Sequence, residues 1–231
     1  MHSLREHFRA IGLGDNGGSV LHGFFGLGKA PATLSLKEQM ARCRRVNTIH
    51  LNVIRLAFDT VIPREPLERK IDLAIHLARD TYDQAGIGVC RVLHYIIEDA
   101  FAGLYPDIGG DGEADDLCDA YSVDNDGIDT FIVLSYAGGT IGSSRSPGSC
   151  DKDGKGGSSG IVVEMGEIEH DAELDAIAYS HELCHFLGVP QHNSDTNNLM
   201  CACRNKRQLS ISQIGMILDH CMITRNFLVE I

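Results

Sequence analysis

From Asn47 the apolar residues alternate with polar ones: Ile49, Leu51 and Val53 interleave with His50 and Asn52. A period of two predicts a strand, here running to Phe58. The period then changes. Pro66 stands where a helix would begin, and Leu67, Ile71, Ala74, Ile75, Ala78 and Tyr82 follow at steps of one face of a helix. Gly86 stands just past its end, a common use of glycine. Ile87 to Ile97 predicts a second strand, which completes a β–α–β unit and so a pair of parallel neighbours. Asp129 to Tyr136 predicts a third strand, and Ile161 to Met165 a short one near an edge of the sheet. Beyond it, Leu174, Ile177, Ala178, His181 and His185 share one helical face, with Asp171 as N-cap and Glu173 and Asp175 in the first turn. Near the end of the chain, Ser210 and Gln213 form a capping box that opens a last helix over 211–222.

The intervening segments read as connections. Residues 1–45 hold Gly12, Gly14, Gly17, Gly18, Gly23, Gly26 and Gly28, and are expected to be loop with one or two short helices, one of them opening at Ser35. Residues 99–128 form an acidic connection, and the Gly- and Ser-rich stretch 137–160 a long loop. The expected fold class is α/β (α+β): a twisted mixed sheet with a parallel β–α–β start, one long helix that ends in histidines, and a small C-terminal part.

Composition narrows the class. The chain has 231 residues, enough for one ordinary domain with an extension, and a hydrophobic fraction of 43%. No run reaches the roughly 18 apolar residues that span a bilayer. A formal charge of −12 argues against nucleic acid and anionic membrane as partners. Met1 to His7 shows no apolar stretch like a secretory signal, whereas eight cysteines, with no C-x-x-C pair, suit an oxidising compartment. Localisation leans extracellular on the second observation; oligomeric state is not legible.

The chemistry concentrates in His181-Glu182-Leu183-Cys184-His185, followed by Gly188, His192 and Asn198-Leu199-Met200. Residues four apart on a helix lie one turn up the same face, so His181 and His185 can reach one ion. Glu182 lies beside them as a general base. H-E-x-x-H on a helix is the signature of zinc peptidases. The plainer alternative makes His181 and His185 hydrogen-bonded core residues, against which stand the helix, the terminating glycine, the third histidine and the methionine.

With these residues in place, the stretch from His181 to Met200 resembles the metzincin zinc peptidases, and Gln208 to Ile214 is similar to the helix after the methionine turn in matrixin-like members. The resemblance covers roughly residues 47–231 and implies a metallopeptidase domain at 46–231. Its upper part, 46–188, would carry the sheet and motif helix; its lower part, 189–231, the third ligand and the methionine turn. Residues 1–45 would be a propeptide-like N-terminal extension. The resemblance implies Zn2+ held by His181, His185 and His192, Glu182 as the base that activates water, Met200 as a packing floor, and a protein or peptide substrate lying extended along an edge strand. One departure stands out. The family's third ligand falls three residues after the glycine, at Gln191, whereas the histidine comes one place later. A loop can absorb one extra residue, so His192 is the expected ligand, with Asp195 the next candidate. The tyrosine that some members carry two places past the methionine is absent, Ala202 standing there. Two rival functions remain open at this stage: a metal-free binding module on the same fold, and a zinc hydrolase of a non-peptide amide.

Cysteine and acidic residues raise secondary expectations. Cys118 with Cys150, and Cys201 or Cys203 with Cys221, are candidate disulfides, and Cys184 a buried apolar residue. Cys43 resembles the inhibitory cysteine of matrixin propeptides. The aspartates of 107–129 make Ca2+ a candidate second ion. Asp151, Asp153 and Gly156 begin like an EF-hand loop, but Lys155 and Val162 occupy positions that need oxygen ligands, so that pattern fails.

Overall fold

The computed structural model describes residues 43, 45–56, 64–97, 105–139, 141–152, 159–166, 171–202 and 207–225, together with the backbone of Phe8–Ala10. The elements in chain order are β1 (Phe8–Ala10), β2 (Asn47–Leu56), α1 (Arg64–Asp83), β3 (Ile87–Ile97), β4 (Asp107–Ile108), α2 (Asp111–Ala120), β5 (Ile128–Val133), β6 (Ser135–Tyr136), β7 (Gly142–Ser144), β8 (Gly160–Glu164), α3 (Ala172–Phe186), α4 (Ile211–Leu218) and β9 (Thr224–Arg225).

The principal sheet runs β1-β3-β2-β5-β8-β7, with β9 added against β2. Its centre is parallel: β2 pairs with β3 and β5, and β5 with β8. The flanking pairs β1–β3 and β7–β8 are antiparallel, as is β9 on β2. The expected β–α–β start is therefore present as β2-α1-β3. The helix turns where its sequence said it would, Gly86 taking the left-handed φ of 71° that costs glycine little.

Both long helices lie against this sheet and each other. Leu67, Ile71, Ala74, Ile75 and Ala78 of α1 are buried, as are Ile177, Ala178, Leu183 and Phe186 of α3. Tyr82 spans the contact, its hydroxyl donating to the Ser180 carbonyl at 3.0 Å. So does an ion pair between Lys70 and Asp175 at 2.7 Å, both side chains being under 10% exposed. Leu174, expected at the head of the buried stripe, is instead exposed, while Asp175 is buried. Almost every face of α3 beyond its first turn is covered, because the helix runs between α1 and the sheet. Asp171 caps it as expected, accepting from the Glu173 N–H at 2.9 Å.

Several expectations are corrected. The strand at 161–165 is not the edge of the sheet: β7, inside the stretch expected to be a long loop, covers it antiparallel. The stretch is glycine- and serine-rich and offers no apolar alternation, so the sequence hid a strand that backbone pairing alone defines. The acidic connection contains α2, whose Ala114, Leu117 and Cys118 are buried beneath an acidic outer face. The third strand breaks at Leu134, leaving β6 to pair with β4 in a separate two-stranded ladder. The last helix stops at Leu218, four residues earlier than expected. The N-terminal segment supplies a strand, β1, and the helix expected at Ser35 lies outside the described residues.

The disulfides also differ. Cys43 bonds Cys90, and Cys150 bonds Cys221, while Cys118 is a buried free thiol. Cys118 with Cys150 is thus excluded, and so is Cys221 with Cys201 or Cys203. Cys201 is itself disulfide-bonded. Cys43 fastens the chain ahead of β2 to β3, and its sulfur is not available to a metal. Cys184 is buried and free, as expected.

Candidate metal centre and its cleft

The C-terminal end of α3 opens into a cleft of about 350 Å³. Its lining includes His181, Glu182, His185 and Ala178 from the helix, Gly142, Ser143 and Ser144 from β7, and His192 and Ala202 from the segments beyond. Each of the three histidines offers a ring nitrogen, and these atoms lie within 4.8 Å of one another.

The hydrogen bonds fix what those nitrogens can do. His181 Nδ1 lies 2.9 Å from the Leu199 carbonyl and His185 Nδ1 2.7 Å from the Val189 carbonyl. A carbonyl only accepts, so both Nδ1 atoms carry the hydrogen and both Nε2 atoms keep a lone pair. Burial, the largest influence, lowers the pKa of His185, which favours the neutral ring a metal needs. His185 Nε2 lies 3.3 Å from His192 Nε2. Two imidazole nitrogens at about 2.05 Å from a tetrahedral zinc ion are about 3.3 Å apart. The donor set is therefore of the right kind, and its His185–His192 pair at the right separation, for zinc.

Gly188 makes the third position reachable. It takes a left-handed φ of 98° just past α3, turning the chain back so that Val189 meets His185. Gln191, the family's position, is exposed, while His192 joins the other two rings. Asp195 is turned elsewhere: its Oδ1 accepts from the Asn197 N–H at 2.9 Å. Met200 is fully buried, and its carbonyl accepts from the Asn193 N–H at 2.8 Å.

Glu182 is held from across the cleft. Ser144 Oγ donates to its Oε2 at 2.9 Å. A Cβ built on Gly142 would sit 2.8 Å from Glu182 Cγ and 2.9 Å from the Val162 carbonyl, so only glycine lets the carboxylate side chain lie there. Sequence reasoning missed Gly142 and Ser144 because nothing in a Gly-Ser run marks a strand beside the Glu182 carboxylate. A Gly142→Ala protein should fold, yet lose about ten- to a hundredfold in any turnover that depends on Glu182. Steady-state kinetics alongside the protein's Tm would separate the two effects.

The expected calcium site finds no support. Asp107 accepts from Ser135, Asp111 from the Tyr136 hydroxyl, Asp115 pairs with Arg145, Asp126 with Arg91 and Asp129 with Lys152. The carboxylates are dispersed among separate partners. Among the described residues, no group with metal-ligand spacing includes any of them. A second cluster, Cys150, His220 and Cys221, is also set aside. Its sulfurs are bonded to each other. His220 uses Nε2 on the Gly148 carbonyl and Nδ1 on the Met222 N–H.

No protein-family model matches the chain, and no curated protein matches it. Solved structures do. The chain is similar to metalloproteinase-II from Bacteroides fragilis (TM-score 0.52, 14% identity), over 75% of this chain and 53% of that one, so it spans about half of that neighbour's length. It is also similar to archaemetzincin from Methanopyrus kandleri (TM-score 0.46, 16% identity), over 73% of this chain and 93% of that one. A chain in the structure of a chaperone–substrate complex aligns with a TM-score of 0.53 at 13% identity, over 75% of this chain and 33% of that one. The fold is α/β with a mostly parallel sheet, and resembles that of metalloproteinase-II.

Proposed function

We propose that this chain is a zinc-dependent endopeptidase of metzincin, matrixin-like type. The observation that carries the proposal is the convergence of three imidazoles, two with Nδ1 spent on backbone carbonyls, on one point of an open cleft beside Glu182. His181, His185 and His192 would hold the ion. Zinc bound by three neutral imidazoles supplies a Lewis acid that polarises a carbonyl and brings the pKa of water toward neutrality.

The remaining work falls to the chain's own groups. Glu182 takes the proton of the attacking water and hands it to the leaving amine. Ser144 keeps the carboxylate aimed into the cleft by its hydrogen bond to Oε2. Among the described residues β7 pairs only with β8, so its other edge offers backbone N–H and C=O groups along the cleft rim. An extended peptide can add there as a further strand, with the edge strand being β7 and not the 161–165 segment. Met200, fully buried, would serve as the packing floor that the resemblance implies, and no tyrosine follows it to assist an oxyanion.

The test measures metal content and turnover together. Protein purified without added zinc should hold about one zinc per chain and cleave an unstructured protein substrate. Glu182→Ala should keep the zinc and lose activity by about three orders of magnitude. Zinc retained by both proteins with no difference in cleavage would refute the peptidase. A wild type that binds no zinc would leave the fold to a metal-free binding module. Activity confined to small non-peptide amides would favour the other hydrolase.

A further inference from the structure

We propose that Gln213 and Asn198 form a positioning clamp for the metal ligands, an inference that rests on the zinc part of the function above. Asn198 and Gln213 are 5% and 6% exposed, so their amides must find partners inside the protein. They find each other. Asn198 Nδ2 donates to Gln213 Oε1 at 2.8 Å, and Gln213 Nε2 donates back to Asn198 Oδ1 at 3.0 Å.

Each amide also grips a backbone. Asn198 Oδ1 accepts from the Met200 N–H at 2.9 Å, which curls the chain at 198–200 into a tight turn. Gln213 Oε1 accepts from the Ser210 N–H at 2.8 Å as half of the capping box of α4. The amide pair thereby ties the turn to the start of that helix, aided by the Leu199 N–H on the Gln208 carbonyl at 2.8 Å.

The turn presents two successive carbonyls to the metal site. That of Leu199 accepts from His181 Nδ1, and that of Met200 from the N–H of Asn193, next to His192. Two of the three ligands are therefore aimed by one turn, and Gln213 is the buried side chain that keeps the turn in place. A capping glutamine needs only its own helix; one paired reciprocally with a residue fifteen positions away serves a second purpose.

The experiment compares zinc affinity, by competition with a chelator, with the Tm of the metal-free protein. Gln213→Ala should bind zinc about ten- to a hundredfold more weakly, the range for loss of a partner that orients a ligand. Gln213→Glu, which sets a buried carboxylate oxygen against Asn198 Oδ1, should bind zinc no better than Gln213→Ala. Asn198→Ala, which also frees the Met200 N–H, should weaken zinc binding at least as much as Gln213→Ala, and the double variant should fall well short of the sum, since the two side chains are coupled. Ser210→Ala removes the hydroxyl half of the capping box and should lower Tm while leaving zinc affinity within about twofold. Equal zinc affinity in Gln213→Ala and wild type, or equal loss in Ser210→Ala, overturns the clamp. If the wild type binds no zinc, the function above fails and the clamp is judged on the metal-free protein. There, 15N NMR should show His181 protonated on Nδ1 in the wild type and as a tautomer mixture in Gln213→Ala; unchanged Nδ1 protonation overturns it.

Discussion

Replacing His192 with alanine is expected to weaken zinc binding by roughly a hundred- to a thousandfold, whereas Gln191→Ala stays within about twofold. Structural zinc sites of four ligands are worth about 10–16 kcal/mol at neutral pH, so one of four equal ligands carries about 2.5–4 kcal/mol. The neighbouring residue is the natural control, because family spacing would put the third ligand at Gln191. The proposed ligand is His192, whose Nε2 lies 3.3 Å from that of His185. His192 is also the most exposed of the three rings, so its removal leaves no hole in the core and the apo protein should keep its Tm. Chelator competition at fixed pH reads the affinity, and thermal denaturation of apo protein reads the fold. Equal losses in both variants would mean that the loop from Gly188 re-registers and that neither side chain is a dedicated ligand.

What the sequence disclosed about this site was whatever a single helix or turn encodes. His181 and His185 are one turn apart, Asp171 caps their helix, and Ser210 with Gln213 caps the next; each is a relation between residues a few positions apart, and each is present. The β–α–β start was equally plain, because the apolar period changes from two to 3.6 and back within a short stretch. The parts that stayed hidden are relations across long separations. Ser144 meets Glu182 from 38 residues away, and Gln213 meets Asn198 from 15. Cys43 finds Cys90 and not a metal, and Cys150 finds Cys221 across 71 residues; pairing is set by the sheet that brings the chains together, not by spacing. β7 was invisible for another reason: three small residues carry no hydrophobic pattern, and its register comes wholly from β8. The acidic run was misread because Asp and Glu on one face of α2 drew attention from Ala114, Leu117 and Cys118 on the other.

The second large effect concerns the platform beneath the site. Lys70→Met is expected to destabilise the protein by about 3–5 kcal/mol, because it removes the ion-pair cation of the Asp175 carboxylate, which stays buried between α1 and α3. The pair lies 2.7 Å apart, with side chains 7% and 2% exposed, so water cannot replace the lost partner. For a domain of this size that corresponds to a fall in Tm of about 10 °C. Asp175→Leu alone should be comparably harmful, since it removes the ion-pair anion of a buried ammonium. The double variant, Lys70→Met with Asp175→Leu, should recover most of the loss, because a buried ion pair and a well-packed apolar pair of similar volume are nearly equal in stability. A double-mutant cycle in urea measures the coupling directly. Its functional consequence follows from position: Asp175 sits in the first turn of the helix that carries His181, Glu182 and His185 at its other end. If the ion pair only stabilises, the double variant should bind zinc like the wild type. If it also fixes how α3 sits on α1, zinc affinity should stay low after stability has returned, and the motif helix would then owe its aim to a charge between one and two turns ahead of His181.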